Sequence, residues 1–130
     1  MTTESDGAII LAENDPMMRG MIRSMLMRAG HQVFAAVNGA EAVILAREFR
    51  AGLVLLDIAM PRLNGLLACE TIRALPDYAD VPIVMLTGYH DPRLRRTARR
   101  LGANDFITKP FRPGELLARL AAHLETNMAV

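Results

Sequence analysis

The sequence predicts an α/β fold in which a parallel β-sheet is covered by helices on both faces. Short apolar runs alternate with stretches of helical period along most of the chain. The central run, residues 53–57, is apolar up to Asp57, and Pro61 then prevents a longer strand. A run of this kind is typical of a strand buried between two helical layers, and parallel sheets place their ligands at the carboxyl ends of such strands. Asp57 is therefore the expected centre of a functional site.

Composition favours one soluble globular domain. The chain has 130 residues, of which 52% are hydrophobic, and a net charge of +1, which argues against a dedicated nucleic-acid-binding protein. Cys69 is the single cysteine, so an internal disulfide and a cysteine-based zinc cluster are excluded, and a reducing compartment is expected. No signal peptide and no run of about 20 apolar residues is recognisable. We therefore expect a cytoplasmic protein that does not insert into a membrane.

Local signals place the individual elements. Asp15 can cap a helix whose first turn contains Pro16, Gly30 and Gly102 can each end a helix, and Pro76 stops another. The predicted strands are residues 8–13, 32–37, 53–57, 83–87 and 105–108, and the predicted helices are residues 16–29, 40–50, 65–75, 92–101 and 114–125. Short connections and right-handed crossovers leave few arrangements of such a chain. The flavodoxin-like doubly wound (βα)5 fold, with sheet order 2-1-3-4-5, is the expected one.

The carboxyl ends of parallel strands meet at one edge of the sheet, which predicts a site. The polar residues that follow or end the predicted strands are Glu13, Asn14, Asp15, Asp57, Thr87 and Lys109. Carboxylate oxygens suit Mg²⁺, while hydroxyl and ammonium groups suit the oxygens of a phosphoryl group in transfer. The inferred chemistry is phosphorylation of Asp57, a carboxylate nucleophile that forms an acyl phosphate.

Four motifs carry a resemblance to a known family. They are I-L-A-E-N-D-P, L-L-D-I-A-M-P-R-L-N-G, V-M-L-T-G-Y and F-I-T-K-P-F, in this order. Together they resemble the receiver domain of two-component response regulators, over about residues 7–125, the expected ordered core. With residues 1–130 taken as one receiver domain without an output domain, the chain is similar to the single-domain chemotaxis regulators.

The resemblance implies a role for each residue of the phosphorylation site. Asp57 matches the phosphoacceptor. Glu13 and Asn14 match the acidic pair that holds Mg²⁺, and the backbone carbonyl of Ala59 matches a main-chain ligand of the metal. Asp15 is a further candidate ligand, although capping the first helix is its expected role.

The resemblance also implies a switch. Thr87 matches the hydroxyl that moves toward the phosphoryl group, and Phe106 matches the aromatic ring that turns inward with it. Lys109 matches the lysine that pairs with the phosphoryl oxygens, and the bond from Lys109 to Pro110 is a cis peptide in this family. Lys109 is also the only lysine among 15 basic residues, which indicates a need for a compact charge. Ala59 and Tyr89 stand at positions that tune the lifetime of the phosphoryl group.

The expected function is that of a switch and not of an enzyme acting on outside substrates. A histidine kinase or histidine phosphotransfer protein would phosphorylate Asp57 with Mg²⁺, and the face formed by the fourth helix, fifth strand and fifth helix would then control a protein partner. The alternatives are a phosphorelay shuttle or phosphate sink, and a degenerate receiver that acts as an interaction module without phosphorylation. A Mg²⁺-dependent phosphatase of similar topology would carry a second Asp two residues after its nucleophile, where this chain has Ala59.

The fourth predicted helix contains a cluster of arginines. These are Arg93, Arg95, Arg96, Arg99 and Arg100. They form either a solvated helix face or a docking site for an acidic partner. Nucleic acid is not the expected partner, because no second basic element or aromatic platform accompanies the cluster.

One departure from the family pattern yields a first prediction. The second member of the acidic pair is usually Asp, but here it is Asn14, so the site has one negative charge fewer and Mg²⁺ affinity should be weaker. The variant Asn14→Asp should bind Mg²⁺ more tightly in a titration followed by fluorescence or calorimetry. Equal affinities of the two proteins would refute this explanation.

Overall fold

The computed structural model describes residues 3–60, 62–88 and 90–128, with side chains described between residues 8 and 124 of those ranges. The strands are β1 (Thr3–Ala12), β2 (Val33–Ala36), β3 (Phe49–Asp57), β4 (Ile83–Thr87) and β5 (Asp105–Thr108). The helices are α1 (Pro16–Arg28), α2 (Gly39–Glu48), α3 (Gly65–Arg73), α4 (Pro92–Arg100) and α5 (Pro113–Met128), with a 3₁₀ turn at Pro76–Tyr78. No helix in the described part of the chain is long and apolar enough to cross a membrane.

The strands form one parallel sheet in the order β2-β1-β3-β4-β5. This confirms the predicted fold class and strand order. Pairing of Ala12 with Leu56, and of Asp57 with Leu86, fixes the register of the three central strands. That register brings the carboxyl ends of β1, β3 and β4 to the same edge.

Alternating side chains of the strands divide the core into two layers. Ile9 and Leu11 lie on the face covered by α1 and α5, where they pack with Ile22 and Leu116. Ile10 and Ala12 lie on the other face, in the cluster covered by α2, α3 and α4. The residues just named are fully buried, so each helical layer fixes the sheet through apolar contacts from which water is excluded. Because both faces of the sheet are covered, a functional site is expected at the polar ends of the strands.

Side-chain caps begin four of the helices. Asp15 accepts a hydrogen bond from the Met18 N–H at 3.1 Å, which confirms its predicted capping role. Asn38, Asn64 and Asp91 accept in the same way from backbone N–H groups in the first turns of α2, α3 and α4. Each cap satisfies a donor that the helix itself leaves unpaired.

The start of β3 was predicted incorrectly. Phe49 falls within the predicted second helix, residues 40–50, but it opens the strand, and its ring stacks on Phe34 with centroids 4.3 Å apart. The buried Tyr78 hydroxyl donates to the Phe49 carbonyl oxygen and accepts from the Ala51 N–H, 3.1 Å away. Pairing with β1 and this tyrosine therefore override the helical spacing of the sequence.

Other boundaries differ by smaller amounts. The first strand starts at Thr3 and not at residue 8, and the third helix ends at Arg73 because the residue before Pro76 is driven out of helical geometry. The fifth helix extends to Met128. Pro61, the predicted end of the central segment, lies outside the described residues.

An ion pair from Arg119 and a hydrogen bond from His123 fasten α5 to the last strand. Arg119 and His123 of α5 both contact the Asp105 carboxylate of β5, His123 through Nε2 at 2.9 Å. Burial alone would raise the pKa of Asp105, but hydrogen bonds from Arg119, His123 and the Phe106 N–H outweigh it and lower the pKa to about 2. Asp105 therefore remains a carboxylate at every pH at which the protein would be used.

Gly65 provides a test of how tightly the chain is packed beside Asp57. A Cβ at Gly65 would lie 2.2 Å from the Asp57 carbonyl oxygen, so Gly65→Ala must displace backbone and should lower the free energy of unfolding by about 1–3 kcal/mol. The matched control is Gly20→Ala in α1, where a Cβ would meet nothing within 4 Å. It should stabilise the protein by about 0.5–1 kcal/mol through helix propensity. Urea denaturation of both variants checks the difference, and equal effects would contradict it.

Candidate functional site

Two buried carboxylates meet where β1 and β3 end. Asp57 is the last residue of β3, and Glu13 directly follows Ala12, the last residue of β1. Glu13 is 1% exposed and Asp57 5%. Because the two strands are neighbours in register, their carboxylates lie side by side in a place that little water reaches. Carboxylates in such surroundings require a cation or several donors.

Lys109 supplies that cation. Its Nζ atom lies 2.8 Å from Glu13 Oε1 and 2.9 Å from Asp57 Oδ2. The remaining carboxylate oxygens accept from backbone donors at 3.2 Å: Glu13 Oε2 from the Asp15 N–H and Asp57 Oδ1 from the Ala59 N–H. All four oxygens are thus engaged, and the one lysine of the chain holds both acids.

The pKa shifts follow from this arrangement. Burial raises the pKa of Glu13, and proximity to Asp57 raises it further, while the hydrogen bond from Lys109 opposes both. Burial would lower the pKa of Lys109, but its hydrogen bonds to Glu13 and Asp57 and their negative charges raise it overall. Lys109 consequently remains an ammonium group, ready to neutralise anionic oxygen atoms.

The main chain fixes Lys109 and Thr87 relative to each other. Lys109 directly follows β5, and its N–H donates to the Thr87 carbonyl oxygen at 2.7 Å. Thr87 ends β4 and is 1% exposed. The bond from Lys109 to Pro110 is cis, as the resemblance implies. The edge of the sheet therefore brings together a hydroxyl residue, an ammonium and two carboxylates.

The donor chemistry of this edge fits a hard divalent cation. Glu13 and Asp57 present oxygen atoms only, and Mg²⁺ commonly takes one or two protein carboxylates and retains several waters. Within the described ranges, no group of three or more His, Cys, Asp or Glu side chains is arranged to hold a metal ion. A metal here would rely on these two acids, with main-chain or amide oxygens beside them.

The other predicted ligands lie at the rim of the site. Asn14 is exposed, and its backbone carbonyl accepts from Arg19 Nη1 at 3.4 Å. Asp15 is exposed and uses its carboxylate to cap α1. Ala59 is exposed and contributes its N–H to Asp57. Asn14 and Ala59 thus stand beside the acids, and Asp15 is occupied elsewhere.

Phe106 lies under a pair of arginines. Its ring is 4% exposed, and the Cζ atoms of Arg95 and Arg99 lie 5.5 and 5.2 Å from the ring centroid. Arg95 also donates to the Thr108 hydroxyl at 3.0 Å. Contacts between a guanidinium and a ring at these distances are stabilising. The inward position of Phe106 is therefore tied to α4. Tyr89, predicted to tune the phosphoryl lifetime, lies outside the described residues.

Two sets of contacts were not predicted from the sequence. Arg19 donates to the Glu13 carbonyl oxygen at 2.9 Å, which holds the segment between β1 and α1. Arg95 and Arg99 were treated as part of an undivided basic helix. Their spacing of four residues places them on one side of α4, and this was the available signal for the second set.

Removal of Lys109 should leave the electrostatic repulsion between Glu13 and Asp57 uncompensated. Lys109→Met leaves Glu13 and Asp57 buried together without a cation, and should lower the free energy of unfolding by about 1–3 kcal/mol, less than for a wholly buried pair because the lysine side chain is 23% exposed. The double variant Lys109→Met/Asp57→Asn removes one acid and should recover part of the loss. Urea denaturation at pH 7 measures all three proteins. A loss that Asp57→Asn does not reduce would show that like-charge repulsion is not its cause.

Comparison with known proteins is in accord with this geometry. The sequence matches the response regulator receiver domain family over residues 9–121. A curated relative, the probable transcriptional regulator ycf27 of Porphyra purpurea, is 36% identical over 128 residues, which cover 94% of this chain and 51% of that protein. The chain thus spans about half the length of the curated relatives it matches.

Solved structures show the same architecture. The chemotaxis response regulator CheY4 of Vibrio cholerae superposes with a TM-score of 0.85 at 27% identity, covering 95% of this chain and 99% of that one. The receiver domain of sensor histidine kinase PA1611 from Pseudomonas aeruginosa, described with a magnesium ion coordinated in its active site cleft, gives 0.83 at 31% identity and covers 95% and 98%. By family match, strand order and structural likeness, this chain belongs to the response regulator receiver domain family.

Proposed function

We propose that this receiver domain is a phosphorylation switch in which Asp57 accepts a phosphoryl group from a histidine kinase or a histidine phosphotransfer protein. The observation that carries the proposal is the buried Asp57 carboxylate with Lys109 Nζ at 2.9 Å and Glu13 bound to the same ammonium. A buried carboxylate nucleophile with an ammonium group beside it is suited to accept an anionic group, because the ammonium neutralises the charge of that group.

In the proposed transfer, one bond to phosphorus forms as another breaks, and residues of this site neutralise the charge. A carboxylate oxygen of Asp57 forms a bond to phosphorus as the bond from phosphorus to the donor histidine breaks, and the imidazole leaves with the bonding electron pair. The Lys109 ammonium then has phosphoryl oxygens to neutralise in addition to Glu13. Bound Mg²⁺, held by Glu13, Asp57, the Ala59 carbonyl and Asn14, would supply further positive charge for the phosphoryl oxygens.

The switch would use Thr87 and Phe106. A phosphoryl group on Asp57 attracts the Thr87 hydroxyl, which is a hydrogen-bond donor. Movement of Thr87 changes the space next to β5, where Phe106 lies beneath Arg95 and Arg99. The state of Asp57 would thereby reach the face formed by α4, β5 and α5, and through it a protein partner. Such a domain signals through its own chemical state and does not turn over outside substrates.

The first helix supplies a surface for the phosphodonor. Met17, Met21 and Met27 are 84%, 49% and 52% exposed. Met21 also lines a groove of about 520 Å³ between α1 and the start of α5, together with Met25 and Leu117. Methionine adapts to irregular apolar surfaces, which supports docking of a helical, histidine-bearing donor beside the site.

A second candidate is a receiver that acts as an interaction module without phosphorylation. Asn14 favours it, because an exposed amide stands where the family usually has a second acid. A phosphorelay shuttle is a variant of the first proposal: it would return its phosphoryl group to a histidine donor without engaging a target.

Phosphorylation can be measured directly. Incubation with acetyl phosphate and Mg²⁺, followed by intact-mass spectrometry, should show the gain of one phosphoryl group. The gain should be lost in Asp57→Asn and strongly slowed in Lys109→Met, while Glu70→Gln, an exposed acid on α3, serves as the control and should react normally. No gain in the wild-type protein, or a gain that survives Asp57→Asn, would refute the proposal and leave the interaction module.

A further inference from the structure

The arginines of α4 divide into two sets with different surroundings. A rotation of about 100° per residue places Arg95 and Arg99 on the side of the helix next to β5, where they cover Phe106. The same rotation places Arg93, Arg96 and Arg100 within an arc of about 60°, opposite Leu94 and Ala98, which face the core. We call Arg93, Arg96 and Arg100 the outer ridge.

The outer ridge has little to bind within the protein. Arg93 pairs with Asp91 at 3.4 Å, and its side chain is 83% exposed. Arg96 and Arg100 are exposed, and neither has a hydrogen-bond or ion-pair partner among the residues that the structure describes. Contacts within the described ranges therefore do not account for the outer ridge as a structural element.

Repulsion among the charges of the outer ridge is unfavourable to α4. Like charges three or four residues apart repel, and Arg93 in the first turn opposes the helix dipole, whereas Arg100 in the last turn is favoured by it. Asp91 at the N-cap pairs with Arg93, but residues 92–100 contain no acidic residue that could pair with Arg96 or Arg100. An anionic ligand along the outer ridge would relieve this repulsion as well as gain its own contacts.

We propose that the outer ridge binds an acidic helical segment of a partner protein. Arg93 and Arg100 are seven residues apart, about 10.5 Å along the helix, which matches carboxylates placed three, four and seven residues apart on a facing helix. Guanidinium groups pair with carboxylates in a defined bidentate geometry. The inference rests on the proposed switch in naming the kind of partner that its output face engages.

A protein segment fits better than nucleic acid. The whole chain has a net charge of only +1, and Asp91 lies at the start of the ridge. No aromatic side chain is among the exposed large hydrophobic residues of the described ranges, so bases would find no stacking platform there. Three charges on one short helix also provide fewer phosphate contacts than DNA-binding surfaces normally use.

The inner set connects this surface to the switch. Arg95 and Arg99 contact the Phe106 ring, and Arg95 also binds the Thr108 hydroxyl. A shift of Phe106 would therefore change how α4 packs against β5, and α4 is the helix that carries the outer ridge. Coupling between two binding events is reciprocal, so any effect of phosphorylation on binding of the acidic segment should be matched by an equal effect of the segment on the phosphorylated state.

The test uses a fluorescein-labelled 18-residue helical peptide with Glu on one face at positions i, i+3 and i+7, and alanine and glutamine elsewhere. Fluorescence anisotropy at 50 mM NaCl measures its binding to the full chain. The variant Arg93→Gln/Arg96→Gln/Arg100→Gln should bind about tenfold more weakly. The matched control, Arg23→Gln/Arg28→Gln/Arg47→Gln, removes the same charge from exposed sites on α1 and α2 and should change binding less than about twofold. A peptide with Gln in place of Glu should not bind.

Three results would overturn the inference: no binding of the acidic peptide to the wild-type chain, equal weakening by both triple variants, or tighter binding of a labelled 20-base-pair DNA duplex through the same arginines. The proposed function is tested separately, because the outer-ridge variant should still gain a phosphoryl group from acetyl phosphate. Loss of peptide binding with phosphorylation intact supports the ridge. Peptide binding by a chain that takes no phosphoryl group would refute the switch and leave the ridge standing.

Discussion

The placement of one ammonium group between two buried carboxylates is the constraint on which the site depends. Glu13 and Asp57 come from neighbouring strands, and Lys109 from a third, so the contact joins β1, β3 and β5 at one edge. Apolar packing on both faces of the sheet would assemble the strands without it. The charges matter because neither acid could remain ionised there alone at low cost. The same three side chains therefore contribute to the stability of the sheet edge and, in the proposed function, to phosphoryl transfer.

Backbone contacts constrain the position of Asp57, as the charges around its carboxylate do. The Gly65 N–H donates to the Ile58 carbonyl oxygen at 2.9 Å, and the missing side chain of Gly65 lets α3 begin against the end of β3. The Ala59 N–H meanwhile orients one carboxylate oxygen of Asp57. The backbone contacts come from residues that follow Asp57 in the chain, while Lys109 reaches the Asp57 carboxylate from the end of β5. In the proposed transfer, a carboxylate held in this way would lose little conformational freedom.

Much of this could be predicted from the sequence, because the relevant signals are local or follow from topology. The cap at Asp15 needs only adjacent residues, and the parallel-strand rule brings Asp57 and Lys109 to one edge without coordinates. The start of β3 could not be predicted, because Phe49 is held there by Tyr78 and by pairing with β1, which are distant in sequence. The covering of Phe106 by Arg95 and Arg99 was missed for a similar reason. The sequence does not show whether a long side chain such as arginine extends into solvent or lies against a neighbouring residue.

Arg73 illustrates what such a long-range contact does. It lies at the end of α3, and its guanidinium donates to the carbonyl oxygens of Val81 at 2.7 Å and of Gly102, just beyond α4, at 2.6 Å. The carboxyl end of α4 is therefore anchored to the body of the protein, whereas its amino end follows the segment after Thr87. In the proposed switch, a reorientation of α4 would therefore pivot about Gly102, with a displacement that grows toward Pro92. Under that proposal, a small displacement at the sheet edge would produce its largest movement at the amino end of α4.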